Sequence, residues 1–484
     1  MMMERERHAT LVDDLLAAQM ELGTAVARFS GWHEMSHDEP LQAHYYRDLI
    51  PLHRPSRGEQ YAFEVNLDQC TGCKACVAAC HSQNGLDEDE SWRDVGLLLG
   101  DEYTPYQQTI TSACHHCADP ACANGCPVLA YEKEPETGIV RHLDDQCIGC
   151  SYCMLKCPYD VPKYNKKRGI VRKCDMCQGR LAAGEAPACV QACPTQAIAI
   201  RIVKIELPEP ESRLLPGLMV SDYTRPTTRY ISSKPVPPTA DAADVENPRL
   251  EAPHSPLAVM LVLTQLATGA LLFAQNNTMR WLGFCLAVAG LAASISHLGQ
   301  PLKAWRCFLG WRKSWLSREI LAFGLFAPAA LLSALHAIPN VLAVSAGLVS
   351  VFCSAMVYAD TRRPFWALKW TGAKFLGTVL LGGSALASCF QPALATASVI
   401  HAMIKLGWEM LFLSSDDPRD RRSLRLLLGP LKWLHVWRFT FGLFGIAAML
   451  AQPVAGLFLL LAGEFMERHL FFRAAAAWKM PGHS

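Results

Sequence analysis

The sequence predicts an α+β domain built as a ferredoxin-like double module, followed by an all-α membrane bundle of about eight transmembrane helices. Two observations support this fold class. Sixteen of the 20 cysteines lie between Cys70 and Cys193, and the sequence after Pro256 is a series of long apolar segments, which raise the hydrophobic fraction to 51%. A chain of 484 residues is long enough for two or three domains of these kinds.

The clustered cysteines form four runs of four. The runs are Cys70-Cys73-Cys76-Cys80, Cys114-Cys117-Cys122-Cys126, Cys147-Cys150-Cys153-Cys157 and Cys174-Cys177-Cys189-Cys193, and the last three end in Cys-Pro. A tight C-x2-C-x2-C turn can wrap three corners of one iron–sulfur cubane, whereas in two-cluster ferredoxins the fourth cysteine ligates the other cluster. The four runs therefore predict four iron–sulfur clusters in two crossed pairs, which move electrons singly.

Two other uses of cysteine fit this pattern less well. Structural zinc sites typically use two separated C-x2-C knuckles that close one tetrahedral site. A disulfide framework is also a poor fit, because the chain shows no signal peptide and Cys-x-x-Cys groups rarely serve as staples in a cytosolic protein.

The remaining features of the first half concern charge and organisation. The formal net charge of +1 gives no reason to expect a nucleic-acid partner.

The N-terminus has no apolar core behind a basic start and no twin arginine, so it does not resemble an export signal. Apolar positions at helical spacing within residues 9–29 predict an amphipathic helix in an N-terminal arm, residues 1–59, which packs on its own domain or binds a partner.

Short strands are predicted on either side of the cysteine loops. They start at Tyr61, within 138–143, within 169–173 and within 197–203, and they define a four-cluster domain over residues 60–205. Residues 206–256 are rich in proline and show no periodicity, so we expect an extended tether that can lie along a partner's surface.

The second half, residues 257–475, is predicted to be a transmembrane anchor domain. Spans are expected near 257–275, 281–298, 319–337, 341–358, 375–390, 393–412, 434–451 and 454–472. Several reach the roughly 20 residues needed to cross a bilayer. Buried helices of a soluble protein are the alternative, but eight in succession with short connections favour the membrane.

Loop charges predict the orientation of these spans. Basic residues collect after the second, fourth and sixth spans: Lys303, Arg306, Arg312, Lys313; Arg362, Arg363, Lys369, Lys374; and Arg419, Arg421, Arg422, Arg425, Lys432. The opposite loops offer only Arg280. The positive-inside bias places the basic side, and with it the cluster domain, in the cytoplasm of a multi-pass inner-membrane protein. Some of this charge could instead dock the acidic cluster domain.

Several ionisable residues lie in or at the ends of the apolar spans. They are His297, Glu319, His401, Lys405, Glu409, Arg438, Glu464 and Arg468. Such residues usually face the bundle interior or a polar cavity. His297 and Glu319 flank the first basic loop, where an imidazole and a carboxylate could accept the two protons that a quinol releases. The alternative is a structural pair that closes a helix end.

Two further alternatives concern the other ionisable residues. Lys405 and Glu409 are four residues apart on one helix face and could simply neutralise each other. His297, His336, His401 and His435 could supply axial ligands to a bis-histidine haem, but no spacing selects a pair.

These motifs resemble the DMSO reductase family of membrane-bound molybdoenzymes. Residues 60–205 are similar to the four-cluster electron-transfer subunit, through Cys114–Pro127, CIGCSYCMLKCPYDVPKYN at 147–165 and KCDMC…PACVQACP at 173–194. Residues 257–475 are similar to the membrane anchor, through SHLGQPLKAWR at 296–306, SWLSREI at 314–320 and LLLAGEFMER at 459–468. Two subunits that are normally separate look fused here, while neither pattern covers the N-terminal arm or the tether.

The resemblance implies a ligand set for each cluster. Cys193 would join Cys70, Cys73 and Cys76; Cys80 would join Cys174, Cys177 and Cys189; Cys157 would join Cys114, Cys117 and Cys122; and Cys126 would join Cys147, Cys150 and Cys153. Nitrate reductase relatives carry tryptophan at the position of Cys150 and hold a 3Fe–4S cluster, so Cys150 implies four 4Fe–4S clusters. In the anchor family, the positions matching His297 and Glu319 are associated with quinol oxidation.

The predicted function is that of an electron-transfer and quinol-oxidising anchor subunit of a molybdopterin oxidoreductase. Menaquinol or ubiquinol would be oxidised near His297 and Glu319, and a separate subunit with a molybdenum cofactor would act on the terminal substrate, for which this chain has no catalytic residue. One alternative is the reverse direction, with quinone reduced by electrons from a donor such as formate. Another is an ion-translocating or purely structural anchor.

Overall fold

The computed structural model describes residues 46–205, 223–245 and 248–476, together with Gly31. The helix predicted within residues 9–29 and the proline-rich stretch 206–222 lie outside the described residues. The described part of the protein consists of a small-sheet domain that carries the cysteine runs, and a helical region that begins at Ser255.

The cysteine-bearing domain contains short strands and short helices. The strands are β1 (Glu59–Asn66), β2 (Asp94–Leu99), β3 (Gln107–Ser112), β4 (Tyr131–Lys133), β5 (Val140–His142), β6 (Lys163–Asn165), β7 (Ile170–Arg172), β8 (Ile198–Lys204), β9 (Arg229–Ile231) and β10 (Asp241–Ala242). The helices are α1 (Ala75–Asn84), α2 (Ala121–Gly125), α3 (Tyr152–Lys156), α4 (Gln178–Ala182) and α5 (Ala188–Gln191).

The first and last strands that the sequence predicts in this domain pair with each other. β1 and β8 are antiparallel, with Val65 opposite Ile198 and Glu59 opposite Lys204. β4 pairs with β5 and β6 with β7 as two further antiparallel ladders. Each ladder precedes or follows a cysteine loop, so the sheets hold the loops against one another.

The described part of the predicted tether belongs to the cysteine-bearing domain. β9 lies parallel to β1, and β10 pairs antiparallel with β2. Strands of two or three residues are too short to show a period of two in the sequence, so the sequence pattern predicts only an extended tether able to lie along a partner. In the structure, residues 223–245 lie on the protein's own cluster domain.

The helical region contains eight helices of 18–21 residues within the described part of the protein. They are α6 (Ser255–Leu272), α7 (Asn277–Ile295), α8 (Trp315–Ala334), α9 (Asn340–Ala359), α10 (Leu368–Ser388), α11 (Ala395–Leu413), α13 (Lys432–Ala451) and α14 (Pro453–Arg473), with the short α12 (Arg421–Leu428) between the sixth and seventh. Among the described residues five helices are long and apolar enough to cross a membrane: α6, α7, α8, α9 and α13. The other three, α10, α11 and α14, carry buried Lys374, Lys405 and Glu464.

The two parts of the protein dock through backbone hydrogen bonds. The Gln300 amide, in the loop between α7 and α8, donates to the Ile148 carbonyl at 3.0 Å, and the Gly310 amide donates to Pro127 at 2.8 Å. In the loop between α9 and α10, the Asp360 carboxylate receives Lys156 Nζ at 2.7 Å. The basic loops therefore lie on the face of the bundle that carries the cysteine-bearing domain.

Three glycines let the two backbones approach closely at this joint. Gly149, in the third cysteine run, and Gly169 have φ values of +68° and +65° and lie against Gly299 of the loop after α7. A Cβ at Gly299 would overlap the Gly169 carbonyl and would lie 2.7 Å from the Tyr164 hydroxyl. Because a side chain at any of these positions would collide with backbone, the joint depends on glycine.

Candidate functional site

Each cysteine run starts as a loop and then enters a short helix. In the first run, Gly72 and Lys74 have positive φ values of 74° and 62°, and α1 then carries Cys76 and Cys80. In the third run, Gly149 and Ser151 also have positive φ values, and α3 follows them. This alternation turns successive cysteine side chains towards one centre, since left-handed residues reverse the backbone sharply.

Backbone amides point at several of the cysteine sulfurs. Gly149 N donates to Cys147 Sγ at 3.3 Å, Ala130 N to Cys126 Sγ at 3.2 Å and Ala197 N to Cys193 Sγ at 3.3 Å. Such bonds stabilise a thiolate because the amide dipole offsets its negative charge.

The structure groups cysteines from different runs. Cys114, Cys117 and Cys122 of the second run line one cavity together with Cys157 of the third run. Burial, and then the proximity of Cys150, Cys126 and Cys147, raise the pKa of the Cys153 thiol. Burial, and then the neighbouring Cys189 and Cys177, likewise raise the pKa of Cys80. The first two groups contain all four cysteines of a ligand set that the resemblance implies, and the third contains three of four; ligation itself stays a prediction.

The chemistry of these groups fits an iron–sulfur core. Burial raises the pKa of both Cys126 and Cys157 to about 11, so these thiols need a positively charged partner to ionise at neutral pH. A cluster supplies iron to four thiolates and so satisfies all of them at once. Among the described residues, no three histidine, cysteine or acidic side chains converge closely enough to hold a single metal ion.

Two buried cations in the cysteine-bearing domain were not predicted. Arg93 is 2% exposed, lies 4.6 Å from the Phe63 ring centroid and is electrostatically coupled to Cys76, Cys174 and Cys189. Lys173, 3% exposed, lines the cavity of the second-run cysteines. Buried cations beside thiolates offset their charge; only the adjacency of Lys173 to Cys174 could have suggested this from sequence.

His297 and Glu319 line one cavity at the joint. This cavity, called the joint cavity, has a volume of about 640 Å³ and is bounded by α6, α7, α8, α9 and the loop 298–314. Of the cluster-run cysteines within the described residues, Cys150 alone contributes to its wall. Cys307 and Tyr358, which the sequence did not single out, line it too.

The two polar groups are held in fixed orientations. His297 donates its Nδ1 proton to the Ser294 carbonyl, so a neutral ring keeps Nε2 as its acceptor. The Glu319 side chain is 5% exposed, and its Oε1 accepts a hydrogen bond from the Ser354 hydroxyl at 2.5 Å. Ser354 is on α9, a contact that the sequence did not predict.

Five of the six other predicted ionisable residues form a separate network, which leaves out His401. Lys405 binds Glu409 at 3.0 Å, as their spacing suggested, and it also binds Glu464 at 2.7 Å. Arg438 donates to both carboxylates at 2.9 Å. Arg468 donates to Thr378 of α10 at 2.9 Å, and the Thr378 hydroxyl donates to Glu464 at 2.6 Å. The network therefore ties together α10, α11, α13 and α14.

The four histidines considered as haem ligands make different contacts. His297 lines the joint cavity, and His401 shares a hydrogen bond of 3.0 Å with Ser384. His336 lies 3.1 Å from Arg280, and His435 packs on Phe439 with ring centroids 5.0 Å apart.

Comparison with known proteins extends this picture. A family model described as a 4Fe-4S dicluster domain matches residues 106–202, and one described as the DMSO reductase anchor subunit matches residues 252–406. The first half is 38% identical over 150 residues to the B subunit of anaerobic dimethyl sulfoxide reductase from Haemophilus influenzae, covering 29% of this chain and 73% of that protein.

Similarity also reaches other redox complexes. The Hydrogenase-2 operon protein HybA of Escherichia coli O157:H7 is 34% identical over 191 residues, covering 32% of this chain and 56% of that protein. The iron-sulfur subunit of nitrate-inducible formate dehydrogenase of Escherichia coli is 35% identical over 166 residues, covering 30% and 56%. The cysteine-bearing domain is thus a 4Fe–4S electron-transfer domain, and the helical region is a membrane anchor.

Proposed function

Since this protein belongs to the DMSO reductase family, we propose that it oxidises membrane quinol and passes the electrons to a molybdopterin-containing catalytic subunit. It joins an iron–sulfur electron-transfer subunit to a DMSO reductase-type anchor in one chain. The observation that carries the proposal is the joint cavity, which is called the quinol cavity from this point on. It brings His297, Glu319 and the cluster cysteine Cys150 to one apolar chamber. Cavities of about 300–1,000 Å³ with a few convergent polar groups are typical of small-molecule sites.

The residues of the cavity fit the chemistry of quinol oxidation. A quinol loses two protons with its two electrons. His297 Nε2 is available as an acceptor because Nδ1 is bonded to Ser294, and the Glu319 carboxylate is the second acceptor. Because Cys150 lies in the cavity wall, a quinol ring bound in the cavity would lie beside the third-run loop.

We propose four 4Fe–4S clusters with the crossed ligand sets that the resemblance implies. Each cluster, when bound, accepts and donates one electron at a time. The cavity shared by Cys114, Cys117, Cys122 and Cys157 supports one set. The electrostatic coupling of Cys126 to Cys150 and Cys153 supports a second.

The anchor is proposed to cross the inner membrane eight times, with the cluster domain in the cytoplasm. Charge pairing explains how α10, α11 and α14 could enter the bilayer, because Lys374 of α10 pairs with Glu467 of α14, and Lys405 of α11 pairs with Glu464 of α14. Two of the orienting cations also have a docking role, since Lys303 and Arg306 both donate to the Asp145 carbonyl. The proposed orientation of the spans in the membrane then depends on the basic loop residues that stay exposed, such as Arg312, Lys313 and Lys369.

The site assignment is tested with His297→Ala and Glu319→Gln, separately and together, in the membrane-bound complex. Quinol-driven reduction of the clusters should fall by at least about 10², the usual contribution of a positioned proton acceptor. Reduction of the same clusters by dithionite should be unchanged, because it bypasses the cavity. Quinol oxidation that survives the double substitution would overturn the assignment.

The direction of electron flow is tested by redox titration of the clusters against the quinone pool. Potentials at or above that of the pool support quinol oxidation, whereas four potentials far below it support the reverse reaction, quinone reduction from a formate-like donor. Cluster potentials span several hundred millivolts and depend on their surroundings.

An ion-translocating role is tested at the buried network. Each of Lys405, Glu409 and Glu464 has at least two ionic partners, an arrangement that favours a structural anchor. Proton uptake by vesicles containing Glu409→Gln or Glu464→Gln should therefore match that of the unsubstituted complex; its loss would support translocation instead.

A further inference from the structure

The quinol cavity is open on one side. Several of its apolar wall residues are also exposed on the outside of the bundle: Ile295 at the end of α7 is 54% exposed, and Leu321 and Leu325 of α8 are 37% and 71% exposed. Trp305 and Phe308, in the loop above them, are 65% and 50% exposed. In a membrane anchor these surfaces face lipid, so the cavity opens sideways between α7 and α8.

A glycine lies in the middle of this opening. Gly324 lines the cavity within α8, and a Cβ added there would meet no atom within 4 Å. Most glycines of the anchor differ from it. At Gly269, Gly383 and Gly347, for example, a Cβ would collide with a neighbouring helix. Glycine costs a helix about 1 kcal/mol relative to alanine, and at Gly324 neither close packing nor backbone conformation requires it.

The absence of a side chain at Gly324 leaves a gap in the cavity wall. Leu321 lies one turn before Gly324 on the same side of α8, and Leu325 follows Gly324 directly, so these two side chains border a gap of one side chain at Gly324. The gap lies five residues beyond Glu319, about 7.5 Å further along the helix axis and about 140° around it, so the path between them runs around α8 from its buried face to its exposed face. The result is a groove, formed by Ile295, Leu321, Gly324 and Leu325, that leads from the polar end of the cavity to the lipid-facing surface.

We propose that this groove holds the isoprenoid tail of the quinol; the inference rests on the proposed function. A membrane quinol has a polar ring and a long apolar tail. When the ring lies at Glu319 and His297, the tail must leave through an apolar opening that reaches lipid. The groove is continuous with the cavity and lies below the exposed Trp305, a residue type that favours the membrane interface. The tail therefore leaves towards the bilayer interior.

The groove orients the substrate more than it adds affinity. Lipid tails are as apolar as leucine, so moving an isoprenoid tail from lipid into the groove gains little free energy. Filling the groove, however, forces the tail into a different path or displaces the ring. Obstruction should therefore affect tailed quinols selectively.

The test uses the whole membrane complex with Gly324→Leu, and Gly324→Ala as the smaller step. Gly407→Leu is the matched control, because Gly407 is also an exposed glycine within a long helix with no atom within 4 Å of an added Cβ, and it is not part of the cavity. Leu325→Trp is a second obstructing variant. Each is assayed with a long-tailed quinol and with menadiol, which has no tail, and normalised to electron delivery from reduced viologen.

Gly324→Leu should raise the KM for the long-tailed quinol by at least about fivefold, the lower end of the cost of inserting methylenes into an occupied apolar site. The KM for menadiol should change less than about twofold, and Gly407→Leu should change neither value. Equal effects on both quinols, or no effect of Gly324→Leu and Leu325→Trp on either, would overturn the groove while quinol oxidation itself stood. Failure of the unsubstituted complex to oxidise any quinol would overturn the proposed function first.

Discussion

Replacing Gly299 with alanine should separate the two halves of the protein at the point where electrons are proposed to cross. The new Cβ would overlap the Gly169 carbonyl and lie 2.6 Å from its carbon and 2.7 Å from the Tyr164 hydroxyl. Favourable contacts between carbon atoms begin near 3.5 Å, so the cluster loop must retreat by about 1 Å.

Moving the cluster loop away from residue 299 costs free energy, and the size of this cost can be estimated. Backbone atoms of Gly169 cannot rotate away as a side chain could, and the hydrogen bond from Gln300 N to Ile148 O, at 3.0 Å, is stretched by the same movement. Overpacking of this kind typically costs about 1–3 kcal/mol, a five- to 150-fold loss of the docked population.

The assay compares two routes of electron entry into the complex. Cluster reduction by quinol, followed by EPR, should slow in Gly299→Ala, whereas reduction by dithionite should not change. Gly372→Ala is the control, since its Cβ would meet only the Leu368 side chain at an ordinary 3.7 Å. A normal rate of quinol-driven reduction in Gly299→Ala would show that the glycine contact does not position the third-run loop.

Two further predictions concern the clusters and the ionic network. Cys122→Ala combined with Cys157→Ala should remove one cluster by EPR spin quantitation, whereas Cys122→Ala combined with Cys126→Ala should remove two; equal losses would contradict crossed ligation. Lys405→Met leaves Glu409 and Glu464 to share Arg438 and should lower the free energy of unfolding in detergent by about 3–5 kcal/mol. Lys369→Met, at an exposed position, should change it by less than about 0.5 kcal/mol, and equal thermal shifts for the two variants would refute the role of the network.

The features that sequence reasoning could predict are those set by short-range spacing. Ligation of a cubane imposes fixed intervals on its cysteines, so the four runs could be recognised without a structure. The i,i+4 pairing of Lys405 and Glu409 follows from helix geometry in the same way. The recruitment of Arg438 and Glu464 to that pair depends on which helices are neighbours, and no local pattern encodes it.

The docked joint was beyond prediction for the same physical reason. Gly299 and Gly149 are 150 residues apart, and the sequence around each predicts only an ordinary turn glycine. Arg93, buried beside the clusters, lies in a polar stretch that resembles a surface loop until the fold places it. The role proposed for Gly324 could not be predicted from the sequence, because it depends on the cavity beside this glycine and on the open space around it.

The loop 298–314 contacts both the cavity proposed for quinol and the cysteine-bearing domain. On one side its Gln300 and Gly310 amides bind the third-run and second-run loops at Ile148 and Pro127. On the other side its Trp305 and Phe308 form the outer wall of the quinol cavity. Because one short segment, much of it a 3-10 helix over Pro301–Phe308, makes both contacts, it cannot shift towards the clusters without also reshaping the cavity. Fusion of the two halves into one polypeptide adds a high effective concentration for this joint, but the register of the joint still depends on the loop.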